Sequence, residues 1–141
     1  MYEAGDLLKF SPFEFKNGNK PKPKFFIVRG HIDDKVMMAC LPTSKDHVPS
    51  DVAVERGCVD IKERGVNAFV FSTSDMVTPS FSFPRPTFVY GEQVDEYEQK
   101  YLDEMNSIVD YLGQIDTQLF QDLKDCLKKA PLLRRKYRKL L

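Results

Sequence analysis

The 141-residue chain carries 21 Lys and Arg against 21 Asp and Glu, so its formal net charge is zero and a uniformly basic or acidic binding protein is excluded. At 42% hydrophobic and 30% charged residues it has the composition of one ordinary folded domain, long enough to bury a core without staples. No apolar run is long enough to span a membrane, and the start, MYEAGDLLKF, lacks the basic and long apolar stretches of a signal peptide, so a cytoplasmic setting with no membrane partner is expected.

Residues 6–10 read as a short strand, and residues 11–24 as a loop marked by Asn17-Gly18-Asn19, Pro21 and Pro23. The run KFFIVR at 24–29 is rich in β-formers and apolar on both faces, which suits a central strand. Residues 30–34 make a turn, and KVMMACL at 35–41 returns as its hairpin partner. Pro42 and Pro49 bracket a polar loop. Further short strands are expected at 59–61, 68–72, 76–77 and, after the bend at Pro84 and Pro86, at 87–90. Short strands between Gly, Pro and Asn turns, without βαβ alternation, predict a small β-barrel over residues 1–91.

Residues 92–141 read as helix. Val94, Tyr97, Tyr101, Met105, Ile108 and Leu112 recur in steps of three and four, giving one apolar stripe, and Gly113 is a plausible stop. A second helix is expected from Asp116 as N-cap, with Leu119, Leu123, Cys126 and Leu127 on one side. Pro131 ends it and opens a short basic helix. The fold class expected is therefore mainly β with C-terminal helices (α+β), divided into a barrel at 1–91 and an extension at 92–141 made of a helical hairpin and a short basic helix.

The zero net charge hides a segregation. From Glu92 to Asp125 ten acidic residues face only Lys100 and Lys124, whereas from Lys128 onward there are seven basic residues and no acidic one. That pattern implies an electrostatic partner within the chain or outside it. Cys40, Cys58 and Cys126 are odd in number and lack CxxC spacing, so they read as structural thiols in a reducing compartment.

Two clusters carry candidate chemistry. Lys16, Lys20, Lys22 and Lys24 alternate through the Pro-rich loop with no acid among them, so an extended chain would present them as a phosphate-binding ridge. The same lysines also suit a solvated loop. Thr43-Ser44-Lys45-Asp46-His47 gathers hydroxyls, a cation, a carboxylate and an imidazole. Metal-free RNA cleavage needs a base for the 2′-OH, a cation or donor for the phosphorane, and an acid for the leaving oxygen, and His47 titrates in the range for either proton role. A turn capped by Ser44 or Asp46 is the alternative reading of this tip. Arg85, flanked by prolines, either points into a site or covers an aromatic ring with its stem. His31 and Asp33 sit in the hairpin turn without further ligands at metal spacing, and there is no Gly-rich phosphate loop, HExxH or GxSxG, so no metal or cofactor is expected.

Residues 4–90 resemble the PemK/MazF family of toxins from bacterial toxin–antitoxin pairs. The likeness is carried by Gly5-Asp6-Leu7-Leu8, by Lys22-Pro23-Lys24-Phe25-Phe26-Ile27-Val28 and by Leu41-Pro42-Thr43-Ser44, with Gly57-Cys58-Val59 and the apolar run at 67–71 following. The resemblance implies an SH3-like barrel, a homodimer, an antitoxin partner and metal-independent endoribonuclease activity on single-stranded RNA. It places Lys22 where the family keeps a catalytic Arg and Thr43 at the catalytic Thr, with Ser44 as an assisting donor. Beside these, the lysine ridge, the polar tip and the proline-flanked arginine supply Lys16, Lys20, Lys24, Lys45, His47 and Arg85 as the candidate RNA-binding residues. Lysine keeps the charge but not the bidentate fork of arginine, so a barrel that binds RNA or protein without cutting is the second expectation. A third has the helical hairpin and basic tail docking a partner or wrapping the barrel, with residues 92–125 lying against the Lys16–Lys24 ridge in cis.

Overall fold

The computed structural model describes residues 2–13, 18, 20–41, 57–61, 66–84, 87–90, 94–105 and 108–129. Its first three strands, β1 (Asp6–Phe13), β2 (Lys22–Ile32) and β3 (Lys35–Cys40), run as an antiparallel meander. β4 (Gly57–Ile61), β5 (Val66–Phe71) and β6 (Thr87–Tyr90) form a second, three-stranded sheet. β7 (Asp95–Glu98), α1 (Gln99–Glu104), β8 (Val109–Gln114) and α2 (Thr117–Lys128) complete the order. β7 and β8 close the flanks of the first sheet, whose order is β7-β3-β2-β1-β8. The mainly β, α+β class is as expected, and among the described residues the two sheets remain separate hydrogen-bonded units.

The meander is apolar on both faces because its side chains alternate between two cores. Leu7, Ile27, Ala39 and Leu41 pack with Phe69, Phe71 and Val89 of the second sheet and with Leu119, Leu123, Cys126 and Leu127 of α2. Leu8, Phe10, Phe26, Val28, Val36 and Met38 face the other way, onto Tyr97, Leu102 and Met105. Aromatic edges order this second core, with Phe13 centred 4.5 Å from Phe26 and 5.2 Å from Tyr97.

The structure corrects the single helix expected over residues 94–112. Tyr97 lies opposite Val36 in β7, the α-helix among the described residues of this span is Gln99–Glu104, and β8 returns beside β1. The helical spacing of Tyr97, Tyr101 and Met105 is real, but β3 and β1 would otherwise expose rows of backbone donors and acceptors, and pairing those edges outweighs a six-residue helix. Gly113 is accordingly no helix stop. It pairs with Leu7 in β8 at φ +114°, with Thr78 Cβ 3.3 Å from where a Cβ would stand. The strand expected at 76–77 is a single bridge between Thr78 and Phe81. α2 begins as expected, with the Asp116 carboxylate accepting from Leu119 N at 3.1 Å. The basic helix after Pro131 falls outside the described residues.

The reading of Cys58 and Cys126 as free thiols is also corrected. Cys58 of β4 and Cys126 of α2 form a disulfide with Cα atoms 5.4 Å apart. Sequence spacing hid it because the partners lie 68 residues apart and meet only when α2 packs on the small sheet.

Candidate functional site

β1 ends at Phe13, opposite Lys22 where β2 begins, and β3 ends at Cys40, opposite Phe26. The connection carrying the lysines and the chain leading to Thr43 and Ser44 therefore leave the sheet at the same end. Leu41, the last described residue before Pro42, is held on both sides. Its N–H donates to Phe25 O at 3.0 Å, and its carbonyl accepts from Lys24 Nζ at 3.4 Å.

This contact changes the meaning of Lys24. The period of two in β2 turns Lys24 toward the same face as Phe26 and Val28, and the residue is only 8% exposed. The buried ammonium thus holds the end of β3 through the Leu41 carbonyl, a contact that the loop reading of Lys24 did not include. Lys20 is exposed beside β2, and Lys22 is that strand's first residue. The side chain of Lys22, together with Lys16, Thr43, Ser44, Lys45, His47 and Arg85, lies outside what the structure describes.

Lys9 was not singled out in the sequence. It sits on β1 opposite Phe25, in the same cross-strand row as Leu41, with Nζ 5.4 Å from the Phe25 ring centroid. Phe25 in turn stacks on Phe81 at 5.6 Å, and both rings are half-buried. The signal available was a single cation breaking the apolar alternation of Leu7-Leu8-Lys9-Phe10.

Other polar groups lie elsewhere. Arg29, at the β2 irregularity between Val28 and Gly30, is 2% exposed, and burial pushes its pKa down to about 10. At the start of β1, the buried Asp6 carboxylate accepts from Glu3 N at 2.8 Å, Tyr111 Oη at 3.2 Å and Gln114 Nε2. Desolvation and then the Asp6 charge hold the Tyr111 phenol above its ordinary value, and burial followed by Asp103 and Asp6 does the same for Tyr2. His31 is half-buried opposite Val36, and no group of three metal-ligating side chains occurs among the described residues. A cavity of about 280 Å³ is lined by Lys35, Glu96, Glu98 and Tyr101, with Lys35 Nζ 3.7 Å from Glu96. Another of about 350 Å³ lies at the start of α2, between Thr78, Gln114 and Asp116. Both are at the end of the large sheet away from Leu41.

No helix among the described residues is long and apolar enough to cross a membrane. The chain matches no protein-family profile and no curated protein.

Proposed function

We propose that the chain is an RNA-directed protein of the SH3-like barrel kind, acting as a metal-independent endoribonuclease of the toxin–antitoxin type on single-stranded RNA. The observation that supports it best is the double anchoring of Leu41, which fixes the launch of Pro42-Thr43-Ser44 at the sheet end from which the lysine-bearing connection also departs. In this reading the 2′ oxygen of the RNA attacks the adjacent phosphorus and the 5′ oxygen leaves. The Lys22 ammonium steadies the negative phosphorane, Thr43 and Ser44 orient it by hydrogen bonds, and His47 moves a proton at one of the two oxygens. Lys9, Lys16, Lys20, Lys45 and Arg85 hold flanking phosphates. A homodimer, a helical antitoxin partner and a cytoplasmic setting belong to the same reading.

The test is incubation of a long single-stranded RNA with the purified protein in EDTA. Cleavage that falls on the order of 10²-fold or more in Lys22→Ala and Thr43→Val supports the proposal. No cleavage at high protein excess overturns the enzyme. The binding-only reading, favoured by lysine at position 22 and by the burial of Lys24, then requires RNA affinity that declines steeply with salt.

A further inference from the structure

We infer that the Cys58–Cys126 bond is a thiol–disulfide exchange site, opened at Cys58 by a dithiol reductant, and that it latches α2 onto the edge of the small sheet. This does not depend on the RNA reading. The bond is asymmetric in its surroundings. Cys58 is exposed on β4, an edge strand of the order β4-β5-β6. Cys126 is 1% exposed and packed in the core shared with Leu119, Leu123 and Leu127. An incoming thiolate needs access to the sulfur it attacks, so Cys58 Sγ is the target and Cys126 Sγ the leaving group.

The interior is furnished for that leaving sulfur. Asn67 is 1% exposed on β5, and its Nδ2 donates to Cys126 O at 2.5 Å while standing 3.9 Å from Cys126 Sγ. An amide N–H at a sulfur that gains negative charge favours its departure. Ala68 O lies 3.4 Å from the same sulfur and can accept the proton-bearing thiol once the bond is open. Both redox states of Cys126 therefore find a polar partner in place.

The exchange balances in two steps. One thiolate of the dithiol bonds to Cys58 Sγ and breaks the Cys58–Cys126 bond, and the Cys126 thiolate takes a proton. The second thiolate of the reductant then attacks its own partner sulfur, closes the reductant's disulfide and releases Cys58 as a thiol. Two electrons pass from the dithiol to the protein. α2 keeps its apolar stripe, the Asn67 contact and the thiol's contact with Ala68 O on the sheet, but loses the covalent tie.

The experiment uses the full chain with dithiothreitol as the dithiol, iodoacetamide labelling read by mass spectrometry, and amide hydrogen exchange. In the oxidised protein neither Cys58 nor Cys126 should be alkylated. After reduction Cys58 should label roughly tenfold or more faster than Cys126. Exchange of α2 amides should rise roughly tenfold or more, while β1 and β2 amides keep their protection. Cys58→Ser should show the raised α2 exchange and the slow Cys126 labelling of the reduced protein with and without dithiothreitol. Asn67→Ala should slow the first step by about tenfold at equal dithiothreitol. Free Cys58 in the oxidised protein, faster labelling of Cys126, unchanged α2 exchange on reduction, or loss of protection throughout the sheet would each overturn the inference. An unchanged rate in Asn67→Ala would overturn the part given to that amide.

Discussion

Lys22 and Lys24 stand two residues apart at the start of β2. Lys24 is buried with its ammonium on Leu41 O, whereas Lys22 opens the strand at the end where the lysine-rich connection arrives. Replacing a phosphate contact should lower the salt slope of RNA binding by about one, and replacing an anchor should not. Lys22→Ala is therefore expected to reduce that slope, while Lys24→Met keeps the slope and loses about 1–3 kcal/mol of stability with its hydrogen bond to the Leu41 carbonyl. Titration of affinity against salt, beside urea denaturation, separates the two. The alternation of lysines was legible in the sequence, but the burial of Lys24 was not, because the strand begins before the apolar run that signals it. Asp6 is a second residue whose role comes from burial. Its carboxylate takes hydrogen bonds from Glu3 N, Tyr111 and Gln114, so Asp6→Ala should cost about 3 kcal/mol in urea denaturation. The same variant should bring the Tyr111 phenol down toward its ordinary value in an ultraviolet titration, since the Asp6 charge helps to raise it. The sign follows from the raised value: the folded state holds that proton more tightly, so this stabilisation is present below the ordinary tyrosine pKa and is lost as pH rises through the raised one.

At the scale of elements, legibility tracked how local the signal was. The β2–β3 hairpin and α2 announce themselves through a few adjacent residues: β-formers around a turn, and an N-cap followed by an apolar stripe. β7 and β8 do not, because each exists as the partner of a strand distant in sequence, and only the open flanks of β3 and β1 decide between sheet and helix. The disulfide is invisible for the same reason. This contrast makes two substitutions informative. Asp116→Ala removes a local cap and should cost about 1 kcal/mol, seen as a modest fall in thermal midpoint. Gly113→Ala attacks a long-range fit: φ is +114° and Thr78 Cβ is 3.3 Å from the new methyl, so the loss should exceed that of the cap variant, at about 2 kcal/mol or more. If residue 113 ended a helix at a solvent-exposed position, alanine there would meet no crowding from Thr78, and the two variants would differ little.

At the scale of the whole molecule, the question is whether the β-rich and C-terminal halves are independent. The sequence places a boundary near residue 91, where the aromatic, proline-rich composition gives way to charged, helix-like spacing. The hydrogen bonding runs across it. β7 pairs with β3, β8 pairs with β1, and α2 contributes Leu119, Leu123 and Leu127 to the core that holds Leu7 and Ile27. Leu7 and Leu8 are adjacent, fully buried, and point into opposite cores. A cavity at either one therefore disturbs the same five-stranded sheet from a different side. Leu7→Ala and Leu8→Ala should each cost about 2–5 kcal/mol. Because β1 belongs to both cores, each variant should still unfold in a single step, with far-ultraviolet dichroism and near-ultraviolet tyrosine signals losing structure at the same urea concentration. Two separated transitions in either variant would show that the cores stand alone, and that the pairing of β7 and β8 adds little to the cohesion of the chain.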